Sequence, residues 1–133
     1  MNHSLLTSLT PNLMVENVNE TIAYYEKVLG FQKIMSVPET GPLAWAMMRR
    51  DEVTIMFQSR ESIIEEYPHF KDQKVGSTSN FYIEVTNIED FFKSIEAKAK
   101  VVQPMHVTFY GKKEFAIKDN SGYLFTFAEC FQQ

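Results

Sequence analysis

Cysteine occurs once in the 133 residues, at Cys130, so no intrachain disulfide can form. A thiol so sparingly used fits a reducing, cytoplasmic setting. Glycine and proline are scarce at five each, and no low-complexity run appears. No stretch approaches the roughly 20 apolar residues of a membrane span, so no membrane partner is expected. The opening segment "MNHSLLTSLT" lacks the basic start and long apolar run of a signal peptide. Basic residues are outnumbered, 13 Lys and Arg against 17 Asp and Glu. With no basic patch, nucleic acid is not expected as a partner. There is no phosphate-cradling glycine loop, no nucleophile elbow and no CxxC pair.

What remains is an ordinary globular composition, 44% hydrophobic and 23% charged. The length favours a single domain, 1–133, able to bury a core without disulfides or a structural metal. Within it one unit is written twice. "LMVENVNETIAYYEKVLGF" (13–31) has nearly the shape of "YIEVTNIEDFFKSIEAKAKVV" (82–102). At an offset of 70, Leu13 pairs with Ile83, Val15 with Val85, Asn17 with Asn87 and Ile22 with Phe92. Asn17 reads as a helix N-cap with Glu20 in the first turn, and Asn87 with Asp90 repeats the arrangement. Val18, Ile22, Tyr25 and Leu29 recur every three or four residues and predict one buried stripe, ended by Gly30.

Each helix should be followed by three strands. The first set is predicted over 31–38, 43–50 and 53–59, with turns at Glu39-Thr40-Gly41-Pro42 and Asp51-Glu52. The second is predicted over 100–105, 112–118 and 123–129, with a turn at Asp119-Asn120-Ser121-Gly122. The fold class is therefore α+β: two βαβββ modules, 9–59 and 79–130, joined by a linker, 60–78, with a short helix near 61–67. Curved mixed sheets with helices on their outer faces would enclose a cleft.

"PNLMVENVNETIAYYEKVLGF", "FYIEVTNIEDFFKSI" and "YGKKEFAIKDNSGYLFTFAE" together resemble the glyoxalase I / bleomycin-resistance / extradiol-dioxygenase superfamily, also called vicinal oxygen chelate. The resemblance spans about residues 9 to 130. It implies a divalent ion in metal-using members, held by His, Gln or Glu from the first and last strand of each module. The matching positions here are Thr10, Met56, Asn80 and Thr126. A thioether is soft, and neutral hydroxyls and amides bind hard ions weakly. The resemblance is therefore to the metal-free bleomycin-resistance branch, whose members sequester a small molecule and pair as homodimers with clefts completed by modules of two chains. No cofactor and no metal are expected.

Strand alternation predicts the cleft lining. It gives Thr10, Asn12 and Met14 from the first strand, and Thr54, Met56 and Gln58 from the fourth. The second module gives Asn80, Tyr82 and Glu84, then Leu124, Thr126 and Ala128. Trp45 and Met47 join if the register of the third strand allows. Thr10, Asn12, Trp45, Met47, Met56, Gln58, Asn80, Tyr82, Glu84 and Thr126 are the candidate ligand contacts, a mixture of apolar walls and orienting polar groups suited to a small organic molecule. Glu84 has two readings: a carboxylate facing the cleft, or a strand-end group paired with a lysine. His3 falls in the opening tail, and His69 and His106 in loops. "GKKEF" reads as a solvated turn. Trp45, Met47 and Met48 equally suit a core. The rival function is a glyoxalase- or dioxygenase-like enzyme with a non-standard divalent site using Glu84 and His106.

Overall fold

The computed structural model describes residues 4–130, and for Cys130 the backbone alone. His3 lies outside the described residues. The chain runs β1 (Asn12–Val15), α1 (Val18–Lys27), β2 (Gln32–Val37), β3 (Trp45–Arg50) and β4 (Val53–Ser59). After α2 (Arg60–Glu66) and a 3-10 turn (Pro68–Phe70) come β5 (Asn80–Glu84), α3 (Ile88–Ile95), β6 (Lys100–Val107), β7 (Lys112–Lys118) and β8 (Leu124–Cys130). Two four-stranded mixed sheets result, ordered β1-β4-β3-β2 and β5-β8-β7-β6. The α+β class with two βαβββ units stands as read. The pairing of Asn12 with Met56 recurs as Tyr82 with Thr126, each partner 70 residues further on.

The local chemistry explains both helices, but not in the same way. Asn17 takes an extended conformation, and its side chain accepts the Glu20 amide at 2.9 Å. Asn87, expected to do likewise, instead adopts φ 51°, ψ 54° and makes no side-chain cap. A left-handed residue swings its side chain away from the first turn, leaving the amides open. Glu129 on β8 fills the place: its carboxylate accepts from the amides of Asn87 (2.9 Å) and Ile88 (2.8 Å). It lies close because β8 runs beside β5. Glu129→Ala should therefore destabilise the fold by about 1 kcal/mol, with Glu129→Gln recovering part. A urea midpoint unchanged in the alanine variant would refute this capping role.

Alternation sends one face of each sheet to its helix. Ile55 and Phe57 of β4 and Ala46 and Met48 of β3 are buried, as are Phe115, Ile117, Phe125 and Phe127 of the second sheet. Met48 is thus core. Tyr25, fully buried, packs its ring edge-on or tilted against Phe31, Phe57 and Phe125 at centroid distances of 5.5, 4.7 and 6.2 Å. Phe115 collects Phe91, Phe92 and Phe127.

The same faces join the two units. Tyr25 Oη donates to Asp119 Oδ2 at 2.6 Å, across from α1 to the β7–β8 turn. The Arg50 guanidinium, at the β3–β4 turn, lies 5.1 Å above the Phe91 ring on α3. Tyr123 Oη donates to the Met14 carbonyl at 2.7 Å. Within one chain, then, the helix-bearing faces meet, whereas the helices were expected outside. The aromatic surplus is the physical reason: one helix stripe cannot cover so many rings, and the two helix-bearing faces bury each other's remainder. The opposite, helix-free faces are those that alternation predicted to line a cleft. Register shifts between Lys33 and Met35 in the β2–β3 pair, and along the β6–β7 pair, bend the outer strands. No helix among the described residues is long and apolar enough to cross a membrane.

Candidate functional site

The face of the first sheet turned away from α1 carries Asn12, Trp45, Met47, Met56 and Gln58, with α2 packed at its Gln58 end. The register of β3 places Trp45 beside Gln58 and Met47 beside Met56. Trp45, Met47 and Met56 are half-buried. Thr10 lies two residues before β1 and is held beside β4 by the Pro11 carbonyl, which accepts from the Met56 amide at 2.9 Å. Pro11, lacking an N–H, cannot itself donate to a ladder, which is why the strand starts late. Met14, on the same side, is buried.

Gln58 is also buried, and its hydrogen bonds are internal. Its Oε1 accepts from Asn12 Nδ2 at 2.8 Å. Its Nε2 donates to Ser62 Oγ (2.9 Å) and Glu66 Oε1 (3.1 Å) on α2. Both amide hydrogens are spent, so Gln58 ties α2 to the sheet. A cavity of about 1070 Å³ opens beside it, between the starts of α1 and α2 and the segment Pro42–Ala44.

The second sheet's helix-free face is the more polar. Across it runs a row of four register partners: Glu84, Ala128, Glu114 and His106. A second row holds Tyr82, Thr126 and Ala116. Glu114 is only 6% exposed, and its Oε2 accepts from Tyr82 Oη at 2.9 Å and Tyr110 Oη at 2.8 Å. The Tyr82 phenol is raised above its ordinary value by burial and then by Glu114; for Tyr110 the hydrogen bond to Glu114 comes first. Both phenols therefore stay protonated, as donors, at neutral pH. Glu84, on this same face, pairs with a lysine: Lys112 Nζ stands 2.9 Å from Glu84 Oε2 and 5.4 Å over the Tyr82 ring.

Several residues fall elsewhere than expected. His106 lies in β6, not a loop, with Nδ1 2.9 Å from the Pro104 carbonyl. His69 sits in the 3-10 turn, its ring 4.5 Å from that of Phe70. Lys112 and Lys113 belong to β7 rather than a solvated turn, and Lys113 pairs with Glu89 at 2.7 Å. Glu114 and Tyr110 were absent from the candidates. The alternation of Glu114 and Ala116 against Phe115 and Ile117 could have found Glu114 once 112–118 was taken as a strand. Tyr82 and Glu84 border a space of about 310 Å³ together with Thr54 and the arm residues Leu9 and Pro11. Glu84 also edges a cavity of about 640 Å³ on the helix side, by Arg50 and Phe91.

The four positions that hold an ion in metal-using members do not fit one. Thr126 Oγ1 donates to Asn80 Oδ1 at 3.1 Å, so two of the four are bonded to each other. Met56 offers a thioether, and Thr10 a neutral hydroxyl. Among the described residues, no group of three or more His, Cys, Asp or Glu is placed to hold a metal ion.

Known structures share this architecture. The crystal structure of TioX from Micromonospora sp. ML1 superposes with a TM-score of 0.74 at 17% identity, covering 94% of this chain and 99% of that one. A glyoxalase/bleomycin resistance protein/dioxygenase from Nocardioides gives 0.79 at 14% identity, over 98% and 87%. The bleomycin-binding protein of Streptomyces verticillus, complexed with copper(II)-bleomycin, gives 0.66 at 18% identity, over 98% and 100%. No curated protein sequence matches. At such identities the likeness establishes the fold alone. The family model for the Glyoxalase/Bleomycin resistance protein/Dioxygenase superfamily matches residues 4–127, and the chain belongs to that superfamily.

Proposed function

We propose that this protein is a metal-free small-molecule binder that sequesters an organic ligand on its helix-free sheet faces. In this reading residues 1–133 act as one cytoplasmic domain, and two chains pair so that a face of one completes the cleft of the other. The observation that carries the proposal is the mutual hydrogen bond of Asn80 and Thr126 at two of the family's metal positions. The other two, Thr10 and Met56, are no better suited to a hard ion. The same faces keep Trp45, Met47, Met56 and Tyr82 as contact surface, and methionines adapt to irregular ligands. A fold neighbour that binds bleomycin supports the class of function without naming this ligand.

The test is thermal unfolding of untagged protein with Ni, Zn, Mn or Fe(II), beside a panel of aromatic and heteroaromatic compounds. A species that prefers the native state raises the transition temperature. The expected result is a rise with members of the organic panel and none with the metals. Near-stoichiometric metal in the purified protein, with an upward shift abolished by Glu84→Ala, would establish the rival enzyme. Scattering at the mass of one chain would remove the paired cleft.

A further inference from the structure

Resting on that reading, we propose that the ligand carries a positively charged amine or guanidinium, and that Glu114, Tyr82 and Tyr110 receive it. Glu114 is a carboxylate buried at the centre of a sheet face, a placement that demands hydrogen bonds. Two phenols provide them, and both go to one oxygen, Oε2. A carboxylate has about four acceptor positions, and the two phenols take two of them. Each phenol's hydrogen is spent on Glu114, and the phenol oxygens in turn accept, Tyr82 from Lys112 and Tyr110 from Thr108. The cluster can therefore accept but not donate. A neutral hydroxyl would satisfy an acceptor without answering the charge, and an anion would be repelled. A cation does both, and tyrosine ring faces favour it further.

The chain already seats one ammonium on this face. Lys112 Nζ lies against the Glu84 carboxylate and above the Tyr82 ring. Lys112 and Glu114 are two residues apart on β7, so they share the face. Lys112 is thus both an example of the chemistry the face holds and a competitor for an incoming cation.

The probes are benzylamine and its neutral counterpart benzyl alcohol, titrated into the full chain and followed by amide NMR shifts. We expect benzylamine to bind ~5-fold or more tightly than the alcohol, with shifts centred on Tyr82, Tyr110 and Glu114. Glu114→Gln keeps the shape and an acceptor for the phenols; it should erase the amine's advantage over the alcohol. Lys112→Met removes the competing charge and should tighten benzylamine ~3-fold, which serves as an independent test if Glu114→Gln does not fold. Equal affinity for the two probes on this face would overturn the cation and leave small-molecule binding intact. So would an amine preference that survives Glu114→Gln, or an unchanged affinity in Lys112→Met. Binding of neither probe, while other compounds of the thermal panel bind, would also overturn it.

Discussion

Tyr25→Phe is expected to cost about 2–3 kcal/mol of stability, although it removes a single oxygen and keeps the ring. The phenol is fully buried and donates to Asp119 Oδ2 at 2.6 Å. Asp119 is itself buried, and its Oδ1 is already committed to the amides of Ser121 (2.8 Å) and Tyr123 (2.9 Å). Without the phenol, Oδ2 is left in the core with its partner gone. The effect should depend on pH. Burial holds the Asp119 carboxyl above its ordinary value, against the lowering influence of Tyr25 and the turn amides. A carboxyl raised on folding favours stability below its unfolded value and opposes it as pH rises through its folded value. Tyr25→Phe removes one of the lowering contacts, so Asp119 rises further and the loss grows with pH. Urea unfolding at about pH 4 and about pH 7 should show the larger loss at the higher pH. Asp119→Asn, which keeps the Oδ1 bonds, should cancel that difference. An equal loss at both pH values would rule out the carboxylate as its source.

The elements were legible because they follow periodicity. β4 spans 53–59 as predicted, α2 lies one residue from its expected range, and the stripe of Val18, Ile22, Tyr25 and Leu29 is buried. The cap at Asn87 was not legible, because its function passed to Glu129, 42 residues away. Only strand pairing brings those two together. The side on which the units meet was also beyond local pattern. An amphipathic helix shows that it covers a sheet, but not what covers its other flank. Tyr24 marks that flank: it lies half-buried, its phenol pushed up to about 12 by burial and by Asp119 of the second unit.

For the site, alternation identified the faces and left their partners unspecified. Gln58 was expected among the ligand contacts of β4, and its bonds to Asn12, Ser62 and Glu66 make it a fastening for α2. Glu84 was seen as either cleft-facing or lysine-paired; it is on the helix-free face and lysine-paired at once. Glu114 went unseen because charged neighbours in "GKKEF" look like solvent. On a β-strand, neighbours face opposite ways: Lys113 turns to Glu89 on α3, while Lys112 and Glu114 turn to Tyr82 and Glu84.

Gly76→Ala should destabilise by about 3 kcal/mol, with strain and collision both contributing. Gly76 has φ +84°, a conformation an L side chain rarely adopts. A Cβ there would also run into the Ser121 carbonyl oxygen, with the Gly122 carbonyl carbon at 3.0 Å. Both obstacles are backbone of the β7–β8 turn, which cannot rotate aside as a side chain tip can. The close approach has a structural purpose. The Gly76 amide bonds the Tyr123 phenol, which in turn donates to Met14 in β1. Linker, second unit and first unit are thus fastened at one point, and the methyl would force all three apart. Gly41 supplies the control, since its φ is +81° but a methyl added there would meet nothing within 4 Å. Gly41→Ala should cost only the conformational strain, about 1 kcal/mol. The difference between the two urea-unfolding results isolates the collision. Equal costs would mean that the linker yields freely, and that Tyr123 does not fasten the first unit to the second.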